Sequence, residues 1–370
     1  MRSVPLLAVT GLLSVTALAA CGGEDKPADP NALTITSTDT ECEVSKTELA
    51  AGSNTFKILN KGTQVTEVYF YGPDGKIVSE KENIGPGTNY DITVSLSSGD
   101  QQIACKPGMV GDGIKQNIKV SGQASALDPR LTKAVADYRA YIDAQIADTM
   151  AKTQKFAESV KKGDVDGAKA LYAQSRFGWE SIEPVAEAFG DIDPKVDLRE
   201  ADLESGDTWS GWHKIEKALW VKKTTKGEEG TADQLLADLK TLQDQVHTVD
   251  ITPASMANGA KELLDEVATG KITGEEEAFS HTDLVDFQAN LDGAQKVFEL
   301  LKPVVVEKDA ALDKTLTDGF ATLQTLLKKY DEGNGAKTSY DKVKPADRKE
   351  LSDAVNALAE PLSKLAATVG

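Results

Sequence analysis

The sequence predicts a multidomain chain, an all-β sandwich followed by an all-α helical bundle. Three observations carry this. The 370 residues suffice for more than one domain at roughly 100–200 residues each. From Leu33 to about Val120, apolar and polar residues alternate in short runs broken by turn residues. Beyond Asp128 the apolar residues recur instead at spacings of three and four.

Four stretches carry the β pattern most clearly: Leu33 to Thr36, Asn54 to Asn60, Glu67 to Tyr71 and Tyr90 to Leu96. Asn60-Lys61-Gly62, Gly72-Pro73-Asp74-Gly75, Gly85-Pro86-Gly87 and Ser97-Ser98-Gly99-Asp100 supply the turns. Short strands at regular spacing predict a small antiparallel sandwich over residues 33–121.

The helical part, residues 128–370, starts at Asp128-Pro129, a capping acid before proline at the first helical position. Leu131, Val135, Tyr138, Ile142 and Ile146 follow on one face. A second helix is predicted from Val165 to Phe189, with a bend at Pro184, and a third from Trp209 to Trp220. Leu235, Leu239, Leu242 and Val246 mark a fourth. A fifth starts near Pro253, and a sixth spans His281 to Leu301. Leu312, Leu316, Phe320, Leu323 and Leu327 mark a seventh, and a last begins near Pro345. Amphipathic helices with short links read as bundled helices.

Ahead of both domains lies an address. Residues 1–20 combine a weakly basic start with an apolar run too short for a spanning helix, which needs about 20 residues. They end in Leu18-Ala19-Ala20-Cys21, which resembles a bacterial lipoprotein signal with Cys21 as the acylated residue. Residues 21–32 then form a polar tether. The expectation is export and a lipid anchor, on the outer face of the cytoplasmic membrane or in the periplasm.

The chain carries a net charge of −18. That argues against nucleic acid as a partner, since a nucleic-acid reader needs a basic face. With three His and three Cys, a hard-cation site must rest on carboxylates. His213 and Glu216 stand three apart in Trp209-Ser210-Gly211-Trp212-His213-Lys214-Ile215-Glu216, so they share a helix face. This imidazole–carboxylate pair suits iron, manganese or zinc. A surface ion pair is the plainer reading of the spacing alone, but the flanking Trp and Gly residues place His213 in a wall. Glu180 and Glu183 are also three apart, Asp197 follows in an acid-rich run, and Glu276 and His281 lie further along. Of these added ligands, Glu183 and Asp197 rank above Glu180, Glu276 and His281. His247 reads as structural or exposed.

These residues carry a resemblance. Ile182-Glu183-Pro184-Val185-Ala186-Glu187, Asp197-Leu198-Arg199-Glu200, Gly211-Trp212-His213-Lys214-Ile215-Glu216 and His281-Thr282-Asp283-Leu284 resemble the imelysin-type helical domain with its His-x-x-Glu motif. The likeness covers roughly residues 128–370. With a β domain in front, the order resembles the EfeO-type iron-uptake lipoproteins. The resemblance implies a cupredoxin-like sandwich, a metal-binding imelysin-like bundle, and iron, as Fe2+ or Fe3+, as the bound metal. It also implies delivery to the EfeU permease, with the haem peroxidase EfeB as a third component.

The β domain departs from a copper carrier. Where a blue-copper protein places His after an Asn-x-Gly turn, this chain has Glu67, and Cys105-Lys106-Pro107-Gly108-Met109 contains no His. A site of two His, one Cys and an axial Met therefore cannot be built. Glu67, Cys105 and Met109, with Cys42 nearby, read either as a different copper or iron site or, for the two Cys, as a disulfide of an exported protein.

The leading expectation is a metal-binding delivery protein without turnover, not an enzyme. A metal-dependent peptidase of imelysin type is a poorer fit, because a zincin helix needs His-Glu-x-x-His and this one supplies a single His. The remaining alternative is a surface protein that binds polysaccharide through bridging cations. Cys21→Ser is expected to release the protein into the medium or leave the signal uncleaved, since stable attachment takes about two lipid anchors. Detergent partitioning and mass measurement of the N-terminus check this.

Overall fold

The structure, a computed structural model, describes residues 33–183, 185, 192–203 and 206–370. The expected signal and tether, with Cys21, lie outside the described residues, as does the predicted bend at Pro184.

Nine strands form the sandwich: β1 (Leu33–Ser37), β2 (Cys42–Val44), β3 (Glu48–Ala50), β4 (Gly52–Asn60), β5 (Thr66–Tyr71), β6 (Ile77–Ile84), β7 (Asn89–Leu96), β8 (Gly99–Pro107) and β9 (Ile114–Ser121). One sheet has the order β2-β1-β4-β7 and the other β3-β9-β8-β5-β6. Alternation places Phe56 and Ile58 of β4, Ile92 and Val94 of β7, and Ile103 and Cys105 of β8 between the sheets. Cys42 in the first sheet is disulfide-bonded to Cys105 in the second, so a covalent staple crosses this core.

The sandwich is not purely antiparallel. β1 pairs with β4, and β3 with β9, in parallel. Alternation fixes which face a side chain takes, not the direction of the neighbouring strand. Here the chain leaves the first sheet for β3 and returns as β4, which gives parallel pairing the crossover it requires.

The helices are α1 (Pro129–Lys162), α2 (Val165–Glu180), α3 (Asp193–Val196), α4 (Gly211–Lys217), α5 (Glu229–Gln245), α6 (Pro253–Thr269), α7 (Asp283–Lys308), α8 (Ala310–Lys328), α9 (Pro345–Leu362) and α10 (Leu365–Val369). A short hairpin of β10 (Asp331–Gly333) and β11 (Ala336–Lys337) follows α8. Asp128 caps α1 by accepting from the Arg130 N–H at 2.8 Å, with Pro129 behind it. Several boundaries differ from expectation, α7 running past Leu301 to Lys308 among them. α2 ends at Glu180 rather than Phe189. α4 starts at Gly211 because Ser210 is extended and Gly211 has φ +79°, and it then loosens into a wider turn over Ala218–Lys222. α7 starts at Asp283 because His281 has φ +59°, which a continuous helix does not admit.

The sandwich rests on α6. Lys81 of β6 reaches Glu262 at 2.8 Å and Asp265 at 3.1 Å, and Asn258 donates to Ser79 Oγ at 3.1 Å and to the Thr93 carbonyl at 2.9 Å. Within the bundle, α7 passes so close to the end of α2 that a Cβ on Gly293 would lie 2.3 Å from the Ser181 carbonyl oxygen. Gly293→Ala is expected to force these elements apart at a cost of about 1–3 kcal/mol. Urea unfolding of the variant, read as a lowered midpoint, checks it.

Candidate metal centre

Five segments converge on one buried polar cluster. Tyr172, Arg176 and Glu180 lie four apart on α2, so they form a row down its inner face. Asp197 closes α3, and its Oδ2 accepts from Trp179 Nε1 at 2.6 Å. His213 and Glu216 project together from α4, as their spacing predicted. Lys271, Glu276 and Glu277 come from the connection between α6 and α7, and Asp286 and Asn290 from α7. Gly211 makes the close approach of α4 to α3 feasible: a Cβ there would lie 2.1 Å from the Val196 carbonyl oxygen.

His213 sits among carboxylates. Its Nδ1 is 3.2 Å from Glu216 Oε2, and its Nε2 is 3.2 Å from Asp197 Oδ1 and 3.9 Å from Glu276 Oε1. Nε2 has no hydrogen bond of proper alignment, so a buried ring nitrogen faces two acids. Three overlapping donor sets each fall within 4.8 Å: Asp197, His213 and Glu276; His213, Glu216 and Glu277; and Glu183, Asp193 and Asp197. One imidazole among oxygen donors, with no thiolate, suits iron, manganese or zinc rather than a soft ion.

Two buried permanent cations share the cluster, and a partly exposed third, Arg199, lies 3.4 Å from Glu276. Arg176, fully buried, meets Asp197 and Glu180 and lies 2.8 Å from Glu277 and 3.4 Å from Glu276. Lys271 Nζ is 2.8 Å from Glu180 and 3.0 Å from Glu183. Seven buried carboxyl groups (Glu180, Glu183, Asp197, Glu216, Glu276, Glu277 and Asp286) thus surround two buried cations. Glu216 also accepts from the backbone N–H groups of Phe279 at 3.0 Å and Ser280 at 2.7 Å, which ties α4 to the loop before α7.

The titration pattern follows from this excess of acid. Burial opposes the charge on His213, as does Arg176, but Asp197 and Glu216 outweigh both and push its pKa up to about 10. Burial likewise opposes charge on Asp197, yet Arg176 and His213 hold its carboxyl far below the usual range. Glu277 and Asp286 are driven well above it, by burial first and by neighbouring acids next. Burial, with Asp197 and Glu276, pushes Asp193 up to about 7.

Of the sequence candidates, His213, Glu216, Glu183, Asp197 and Glu276 fall in the donor sets. Glu180 joins the cluster as the partner of Arg176, Lys271 and Asn290 rather than as a member of a set. His281 does not join. Its positive φ turns the chain before α7, and its ring is close enough to Asp341 to help lower that carboxyl. His247 is exposed, 3.5 Å from Asp143. Trp179 rather than Trp209 is the buried companion of Trp212, with ring centroids 6.0 Å apart. Arg176, Lys271 and Asp286 were not read as site residues. The signals in the sequence are a helical spacing, Arg176 four before Glu180, and for Asp286 its place in Asp286-Phe287-Gln288-Ala289-Asn290, a stretch that also resembles the imelysin-type domain.

Of the two readings left open in the β domain, the structure carries the disulfide, Cys42–Cys105. Glu67 pairs across the sheet with Lys106, and Val68 with Cys105. Neighbours along a strand take opposite faces, so Glu67 points away from Cys105. The disulfide occupies the sulfurs of Cys42 and Cys105. Met109 sits half-exposed in the turn after β8, at a cleft between the two domains.

A cupredoxin-like sandwich ahead of a bundle cored by one histidine and many carboxylates is a distinct class of two-domain protein. The chain belongs to the imelysin family, and to the Efem/EfeO lipoproteins within its reach. Residues 134–365 match imelysin, and residues 9–120 match a cupredoxin-like domain. An Efem/EfeO family lipoprotein of Staphylococcus aureus strain MSSA476 is 47% identical over 252 residues, covering 67% of this chain and 89% of the relative. One from Staphylococcus haemolyticus strain JCSC1435 is 48% identical over 259 residues, 68% of this chain and 88% of the relative. The crystal structure of an iron-regulated protein A precursor from Parabacteroides distasonis shares the fold, with TM-score 0.51 and 12% identity over 66% of this chain and 97% of that one.

Arg176→Met is expected to destabilise the protein by about 3–5 kcal/mol, the usual consequence of stripping one partner from buried ion pairs. Calorimetric unfolding in metal-free buffer measures the loss.

Proposed function

We propose that this chain is an exported, lipid-anchored iron-binding protein without catalytic turnover, which captures iron in the helical domain and passes it to a membrane permease. The observation that supports the reading best is His213 Nε2, buried and without a hydrogen bond, facing Asp197 and Glu276 inside the overlapping donor sets. His213 through Nε2, Asp197 and Glu276 would hold the ion, Glu216 would fix the ring from its Nδ1 side, and Glu183, Asp193 and Glu277 stand at either end of the chain of donors. All but one of these donors are carboxylates, which suit hard and borderline cations.

Access runs through the cleft between the domains, of about 740 Å³. Its wall includes Glu82 and Met109 of the sandwich, and Glu183, Asp193, Asp202, Glu266, Glu275 and Glu276 of the bundle. Arg199 and Lys271 also line it, but the acids outnumber them, so a hydrated cation is favoured there over an anionic chelate. The cargo on this reading is the free ion. The Efe-type order supports EfeU as recipient and EfeB as a further component. The lipoprotein naming of the relatives supports the anchor. A peptidase role lacks a second His on α4, the residue a zincin helix would use beside His213.

Calorimetric titration with ferrous iron under anoxia tests the proposal. His213→Ala is expected to abolish tight binding and Glu216→Ala to weaken it about 10–100-fold, while His247→Ala leaves it intact. Equal affinity in all of them would overturn it.

Binding also carries a pH sign. With its pKa near 10, His213 holds a proton at neutral pH in the metal-free protein, and that proton leaves when the ring ligates. Affinity therefore rises with pH, by about one log unit per pH unit or more between pH 5.5 and 7.5. Loading releases protons, measurable by repeating the titration in buffers of different ionisation enthalpy.

A further inference from the structure

We propose that Lys271 is the protein's built-in competitor for the metal: its ammonium occupies the carboxylates in the unloaded state and swings into the interdomain cleft as the ion enters. This rests on the reading that the centre binds iron.

The two buried cations differ in how they are held. Arg176 stands mid-helix on α2, touches carboxylates from three other segments, and lies 5.6 Å from the Trp212 ring centroid. It is pinned from every side. Lys271 stands on a short turn between α6 and α7, with a long unbranched stem. Its Nζ is 2.8 Å from Glu180, 3.0 Å from Glu183, 3.6 Å from Glu266 and 3.9 Å from Glu276. Two of these, Glu183 and Glu276, belong to the donor sets.

Metal–oxygen bonds run roughly 2.0–2.2 Å. An ion bonded to Glu183 or Glu276 would therefore take space and charge that Nζ now fills. Like charges that close in a buried site repel strongly. The ammonium must leave for the ion to be held on those oxygens.

The exit is already lined. Lys271 and Glu266 both border the cleft. Glu266 is its most exposed carboxylate partner, at 25% side-chain exposure. The turn itself stays in place, because Tyr340 donates its hydroxyl to the Ile272 carbonyl at 2.5 Å and packs against Gly274, where a Cβ would meet the ring at 2.7 Å. The movement is thus a side-chain swing rather than a loop opening. Exchanging a monovalent ammonium for the ion limits the change in buried charge, and the returning ammonium assists release to the recipient.

The test uses the full-length protein and ferrous iron under anoxia. Amine acylation with mass-spectrometric readout should find Lys271 protected without metal and at least about tenfold more reactive at saturation, against exposed Lys133 as the internal control. Lys271→Met should bind ferrous iron at least about tenfold more tightly and release it more slowly, because the competitor is gone. Protection of Lys271 in metal-saturated wild type overturns the proposal, whether or not the variant folds. So does a folded Lys271→Met protein that binds with equal or lower affinity. Absence of binding by wild type would instead remove the iron-binding reading, and this inference with it.

Discussion

Arg176 is the residue around which the helical domain is assembled. A guanidinium without solvent is tolerated only when its donors meet acceptors, and the acceptors here come from three parts of the chain. Glu180 is on its own helix, Asp197 follows α3, and Glu276 and Glu277 precede α7. Satisfying one buried cation thus fixes the relative positions of α2, α3 and the loop between α6 and α7. The carboxylates depend on it in turn, because seven buried acids would repel one another without a permanent countercharge. His213 then enters a space whose sign is already set.

Apolar packing supplies the precision that charge alone does not. Trp179 and Trp212 pack at a tilt beside the cluster and each spends its indole N–H on it or its border, on Asp197 and on Ser175. They keep water from that side, which strengthens every ionic contact within. Glycines set the spacing between segments: Gly211 lets α4 touch the end of α3, and Gly293 lets α7 touch the end of α2. These contacts tolerate no side chain, so the donor sets are held to a narrow geometry before any ion arrives.

The sandwich contributes position to the cleft. Lys81 is buried against Glu262 and Asp265 of α6, and Asn258 bridges to two strands. This docking brings Glu82 and Met109 to one wall of the cleft that leads to the cluster. A disulfide rather than a copper ligand sits where a cupredoxin's metal would be sought, and it holds the two sheets together.

The sequence by itself determined the order of the two domains, the start of α1 at Asp128-Pro129, and the pairing of His213 with Glu216. These are local facts: period two, period three to four, a cap, and two residues three apart. It also marked Glu183, Asp197 and Glu276 through acid density and family resemblance. Tertiary structure alone decided that the strands pair partly in parallel, that Glu67 and Cys105 face opposite ways, and that His281 stays outside the cluster. It alone revealed Arg176 and Lys271, which look in the sequence like any helix or loop cation. Local periodicity says which face a residue takes, whereas the partner of a buried charge is set by whichever distant segment packs against that face.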